Sequence, residues 1–239
     1  MKRSNSEQSE RSNLSFWDHL DELRSVLLKS LAAWLVGVVV AFCLKEPLFD
    51  LIFRPLQQGQ QLINIDVTGQ FMTHVQVSLW AGFVLALPFI VYWLYGFVAP
   101  ALYEREKRYG IALVVCATAL FVLGVVLDYF VIFPFSYRFL SGYQVTGLVE
   151  NKISLSSYIS LFIVLALLMG LLFEVPVITW FLAKMGILNA QHLRKGRKYV
   201  FVAILILAAV ITPTGDPVTL MLVTMPVYGL YELSILIVN

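Results

Sequence analysis

The sequence predicts an all-α, polytopic membrane protein. It has six transmembrane helices, both termini on the cytoplasmic side, and a short last pair of helices. Three observations predict this. Of the 239 residues, 59% are hydrophobic and only 13% charged, where a soluble domain is nearer a quarter charged; mean hydropathy is +0.82. Apolar runs recur along the chain, most of them long enough to cross a bilayer, with short polar or proline-marked segments between them. Lys and Arg are also unevenly placed. Thirteen fall at Lys2, Arg3, Arg11, Arg24, Lys29, Arg105, Lys107, Arg108, Lys184, Arg194, Lys195, Arg197 and Lys198, and four at Lys45, Arg54, Arg138 and Lys152. The richer set marks the cytoplasmic side.

Residues 1–13 are polar and hold no apolar core, so they read as a disordered cytoplasmic tail and not as a secretory signal. Residues 14–239 form the six-helix transmembrane domain. Ahead of the first span stands Ser15-Phe16-Trp17-Asp18-His19-Leu20-Asp21-Glu22-Leu23-Arg24. Ser15 with Asp18 three residues on is a helix-start signature. On a helix Asp18, Asp21 and Glu22 share one face, with Arg24 the only basic residue of the segment. That acidic face is either a docking site for a cationic partner or an interfacial helix whose acids face water.

The first span covers about 26–44 and ends at Lys45-Glu46-Pro47. The apolar residues Leu48, Phe49, Leu51, Ile52 and Phe53 then suggest a short interfacial helix. The second span, about 71–98, contains Pro88, which should kink it. It exits at Pro100 into the charged loop Tyr103-Glu104-Arg105-Glu106-Lys107-Arg108. The third, about 111–133, is expected to close at Pro134, with Asp128 near the headgroups. The fourth, about 157–182, is interrupted at Glu174-Val175-Pro176. A basic loop, 184–198, follows, in which Asn189 is placed to cap a short helix. The fifth span, 199–211, is only thirteen residues, roughly 20 Å of helix against a hydrocarbon core of ~30 Å. After the rigid turn Thr212-Pro213-Thr214-Gly215-Asp216-Pro217, the sixth runs from about Val218 to the end. No internal repeat is visible, which weighs against an inverted-repeat transporter.

Few residues could carry chemistry. Glu174 lies inside an apolar run, where an acid must be neutral, paired or wet. It is either a polar-contact or proton-sensitive site, or a structural hydrogen-bonder that replaces backbone bonding lost at Pro176. Glu104 can pair at i+3 and i+4 with Lys107 and Arg108; Glu106 has no such cation ahead of it and is the freer acid. Asp216 makes an outer turn hydrogen bond. Glu232 is either an intramembrane polar site or a headgroup-level residue. His19, His74 and His192 are far apart and form no metal-ligand set. Cys43 and Cys116 sit in apolar runs and suggest neither a disulfide nor a metal site. No phosphate loop, H-E-x-x-H or G-x-S-x-G occurs. No cofactor, no nucleic-acid partner and no enzymatic activity are expected.

Four stretches together, in this order and topology, strongly resemble the TatC family, the multi-spanning receptor subunit of the twin-arginine protein translocase. They are His19-Leu20-Asp21-Glu22-Leu23-Arg24, Phe97-Val98-Ala99-Pro100-Ala101-Leu102-Tyr103-Glu104-Arg105-Glu106-Lys107-Arg108, Phe173-Glu174-Val175-Pro176, and Thr212-Pro213 with Asp216-Pro217. The resemblance covers nearly everything after residue 13. It implies a receptor in the bacterial cytoplasmic membrane for folded proteins that carry a paired-arginine signal peptide. Export would be driven by the proton-motive force with TatA- and TatB-type single-span partners, within a larger self-associating complex surrounded by lipid. It assigns the arginine pair to Glu22 and Glu106, with Arg24, Phe97 and Arg108 shaping the patch, and makes Glu174 a partner-contacting or groove-lining acid. Two features depart from the family pattern. The Asp216 turn, Thr-Gly-Asp-Pro, is slightly longer, and the chain ends at Asn239 without a basic tail, as a truncated sequence would. The alternatives are a proton-coupled small-molecule transporter using Glu174 and Asp128, for which too few polar residues face one another at mid-depth, and an intramembrane enzyme, for which His74 has no obvious partner.

Overall fold

The computed structural model describes residues 2–56, 61–99, 110–144, 146, 151–211 and 217–238, with side chains from residue 17 onward apart from 18, 210 and 211. Among these residues the chain is helical, with a single isolated β-bridge between Ile63 and Ser154. Helix α1 spans Lys2–Cys43 and α2 spans Lys45–Phe53, the short helix expected after the first span. Helix α3 is Gly69–Val98 and α4 is Gly110–Leu127; a π-helical stretch, Asp128–Ile132, leads into α5, Phe133–Gly142. Then come α6 (Leu155–Phe173), α7 (Val175–Lys184), α8 (Ala190–Ile211) and α9 (Pro217–Val238).

Among the described residues five stretches are long and apolar enough to cross a membrane: His19–Cys43, Gly69–Val98, Gly110–Gly142, Leu155–Lys184 and Pro217–Val238. Helix α8 is not among them, because its first nine residues are the basic stretch up to Lys198 and only 199–211 is apolar.

Helix α6 is the centre. Ser154 caps it by accepting a hydrogen bond from the Ser157 N–H at 3.1 Å. Half of the most apolar part of the Leu155–Lys184 stretch, to which it belongs, is buried, the largest share of the five. Around its N-terminal end Tyr158, Phe162, Phe133 and Tyr137 interlock edge-to-face at 5.0–5.2 Å between centroids. Helix α2 is pinned to this cluster, since the Tyr158 hydroxyl donates to the Ile52 carbonyl at 2.9 Å and the Tyr129 hydroxyl to the Leu51 carbonyl at 2.7 Å. Helices α4 and α6 pack closely: a Cβ on Gly124 would come within 2.5 Å of the Met169 carbonyl oxygen.

Three details differ from the sequence reading. Pro134 does not close the third span. It occupies the first turn of α5, where a missing N–H costs no helical bond, and the helix continues to Gly142. Asp128, expected near the headgroups, is fully buried within the protein at the start of the π-helical stretch. Asn189 does cap a helix, with its Oδ1 accepting from the His192 N–H at 2.8 Å, but that helix runs on through the fifth apolar segment. The basic stretch is therefore its first turns rather than a loop.

Candidate functional site

Helices α1 and α3 form an antiparallel pair. A Cβ on Gly37 would lie 2.5 Å from the Gly82 carbonyl oxygen, and one on Gly82 would lie 2.5 Å from the Val38 nitrogen. Small residues at a crossing let two membrane helices touch backbone to backbone. Beside that crossing the Trp34 Nε1–H donates to the Leu79 carbonyl at 2.9 Å. At one end of the pair His74 stacks on Phe42 at 4.0 Å, with Nε2 3.2 Å from the Phe42 carbonyl oxygen. At the opposite end His19 stacks on Phe97, with centroids 4.7 Å apart and planes 24° from parallel. The rest of α1 faces outward, and its Leu27, Leu35, Val36 and Val39 are all more than half exposed.

This pairing carries an acid and an aromatic ring to one end of the molecule. Glu22 is exposed on α1, and its Oε2 lies 3.4 Å from Nδ1 of His19. The same imidazole meets Phe97 of α3, so Glu22, His19 and Phe97 form one continuous patch. Arg24 is exposed two residues beyond Glu22. Glu106 and Arg108 lie outside the described residues. The flanks of their segment are described, however. Val98 closes α3 directly after Phe97, and Gly110 opens α4 with its Cα packed against the Tyr95 ring. The spacing of the three histidines excludes His19 from a metal-ligand set and gives it no other role. The signal for its actual place was available in the i, i+3 spacing of His19 and Glu22, but the stacking on Phe97 was not.

Glu174 stands at the junction of α6 and α7. Its N–H donates to the Leu171 carbonyl at 3.1 Å and its carbonyl accepts from Ile178 at 2.9 Å. Its Oε1 is buried and has no hydrogen-bond partner among the described residues. Thr179 supplies side-chain bonding at the break, donating toward the Val175 and Pro176 carbonyls at 2.7 and 3.0 Å. Pro176 and Val177, next along the chain, line an apolar groove of about 410 Å³ together with Ala112, Cys116, Trp180 and Leu233.

Between α8 and α9 Glu232 pairs with Arg197 at 2.8 Å and accepts from the Tyr228 hydroxyl at 3.0 Å. Glu232 is therefore a helix-pairing residue of α8 and α9. Asp216 lies outside the described residues.

The family model for the Sec-independent protein translocase protein (TatC) matches residues 18–226. The Sec-independent protein translocase protein TatC of Deinococcus radiodurans is 36% identical over 235 residues, covering 95% of this chain and 87% of that protein. Its namesake from Escherichia coli K12 is 34% identical over 221 residues, 91% of this chain and 85% of that one. Two crystal structures described as the twin arginine translocase receptor TatC superpose with TM-scores of 0.80 and 0.83. Each is 34% identical and covers 92% of this chain, and they are themselves covered to 97% and 99%.

Proposed function

The chain belongs to the TatC family, and from that premise we propose that it binds paired-arginine signal peptides of folded proteins on the Glu22–His19–Phe97 patch. As a TatC protein it is a multi-span, non-enzymatic receptor component of the bacterial twin-arginine translocase. The proposed contacts go further. Glu22 and Glu106 each take one guanidinium, because a carboxylate offers two coplanar acceptors to the two donors of an arginine fork, a match that an ammonium lacks. Arg24 and Arg108 shape the patch and keep its acids from repelling one another. Glu106 lies three residues before the Tyr109–Gly110 junction at which α4 opens, and Gly110 is packed beside Tyr95 of α3.

The observation that carries this reading is the patch itself. Residues 75 apart in sequence, Glu22 and Phe97, share one surface through His19, at the ends of α1 and α3 that the Lys and Arg distribution assigns to the cytoplasm. The same distribution supports cytoplasmic termini, with α8 as a sixth, short crossing. Glu174 and the neighbouring groove suit a single-span TatA- or TatB-type helix, which would cover apolar surface and offer the carboxyl a partner. The proton-motive force, further copies of the chain and the cytoplasmic membrane complete the proposal, and Asp216 keeps its role as an outer turn residue.

The test is cross-linking of the detergent-solubilised protein to a signal peptide with two adjacent arginines, against the same peptide with two lysines. Preference for arginine that is lost in Glu22→Ala and in Glu106→Ala is the expected result. Undiminished binding in both variants removes the site.

A further inference from the structure

One side chain of the patch has no part in the contacts proposed above. His19 touches two of its members from opposite sides, with Nδ1 3.4 Å from the Glu22 carboxylate and its ring on Phe97. Glu22 is on α1 and Phe97 on α3, so the imidazole is a physical link between the acid and the neighbouring helix. The side chains of His19 and Glu22 are 56% and 46% exposed. A pair this exposed contributes little to stability, so stabilising the fold is a poor account of the arrangement. It has a definite consequence for orientation instead. An unsupported glutamate turns about three side-chain bonds, and that freedom is lost when the carboxylate must meet a planar guanidinium edge-on.

We propose that His19 is a positioning residue of the recognition site: it fixes the Glu22 carboxylate relative to Phe97, so that an incoming arginine meets an acid already oriented for bidentate contact. This rests on the reading of Glu22 as an arginine acceptor. It makes a prediction that a stabilising role does not. Lysine presents a compact charge with no plane to match. Loss of the link should therefore weaken arginine binding more than lysine binding.

The experiment measures dissociation constants of fluorescent two-arginine and two-lysine signal peptides for the full chain in detergent. The variants are His19→Phe, which keeps the ring but loses the nitrogen, His19→Asn, which keeps a polar atom near Nδ1 but loses the stack, Glu22→Gln, and Glu22→Gln combined with His19→Phe. His19→Phe is expected to weaken the two-arginine peptide about three- to tenfold, the cost of ordering one free side chain. It should leave the two-lysine peptide within about twofold and the thermal midpoint unchanged. His19→Asn falls between wild type and His19→Phe, and provides the comparison should His19→Phe fold poorly. In the Glu22→Gln background His19→Phe should have no further effect, because a residue that acts through another is silent once that other is gone.

If Glu22→Gln does not weaken arginine binding, the receptor site itself is wrong. If it does, three results overturn the positioning role alone: an additive loss in the double variant, equal losses for both peptides, or no loss from His19→Phe or His19→Asn in the otherwise native chain.

Discussion

Replacing Gly37 by Ala probes the contact that holds the site in place. The added Cβ would stand 2.5 Å from the Gly82 carbonyl oxygen and 3.2 Å from two further backbone atoms, where ordinary contact begins at 3.4 Å. Relief needs a separation of about 0.9 Å between α1 and α3, because the obstacle is backbone and cannot rotate away. Overpacking of this kind costs typically about 1–3 kcal/mol. The better helix propensity of alanine offsets some 0.5–1 kcal/mol of that, which leaves a net loss of about 0.5–2 kcal/mol. At about 2–4 °C per kcal/mol for a chain of this size, the thermal midpoint in detergent should fall by about 1–8 °C. Gly82→Ala should behave alike, and the double variant should cost less than the two losses together, since one displacement relieves both clashes. Gly229→Ala is the control: nothing lies within 4 Å of its Cβ position, so the midpoint should hold or rise. A Gly37→Ala protein as stable as the wild type, by circular dichroism or by intrinsic tryptophan fluorescence on heating, would refute the close crossing and with it the fixed placement of Glu22 beside Phe97.

Two further outcomes follow from intramembrane acids. Both carboxylate oxygens of Asp128 are buried without hydrogen-bond partners among the described residues. Asp128→Val should therefore be neutral or stabilising by up to about 1–3 kcal/mol in detergent unfolding; a destabilisation beyond about 1 kcal/mol would assign the carboxyl a bonding role. For Glu174→Gln the fold should persist, because side-chain bonding at the helix break comes from Thr179. Assembly with single-span partners, read by co-purification, should fall along with export of a two-arginine cargo. Normal values of both would make the acid merely structural.

How much of this was legible in the sequence depended on whether the governing contacts are local. The apolar runs, the short helix at 45–53, the break at Glu174 and the cap at Asn189 each follow from contiguous sequence, and all are present. Pro134 misled because a proline ends a helix in one register and opens one in another; the π-helical stretch before it supplies the second register. Asp128 misled because its burial is set by α6 and α9 packing around that stretch, which no local pattern encodes. Glu232 could not be assigned until α8 brought Arg197 opposite it, 35 residues away. At the site, the sequence nominated Glu22 and Phe97 through resemblance. The imidazole that joins them is not legible locally, because its partner ring is 78 residues away.

The exposure of the patch also bears on how it could bind tightly. An isolated ion pair at a surface is worth about 0.2–1 kcal/mol, so two arginine contacts at carboxylates as open as Glu22, 46% exposed, fall well short of a stable complex. The remainder has to come from burying apolar surface, and the outward faces of α1 and α3 beside the patch supply it, with Leu27, Leu31, Leu85 and Phe89 all substantially exposed. The apolar stretch of a signal peptide laid there would also exclude water from the carboxylates and strengthen the arginine contacts in turn. Affinity should then respond to salt in a specific way. Raising ionic strength from about 0.05 to 0.5 M shortens the Debye length from more than 10 Å to under 5 Å. A peptide cut down to its charged segment should lose nearly all binding over that range, whereas one that keeps its apolar stretch should weaken by less than about tenfold. Titrations of both peptides by fluorescence anisotropy at the two salt concentrations decide the matter. Equal salt sensitivity would mean that the apolar stretch does not shield the acids, and that Glu22 acts as an open surface charge.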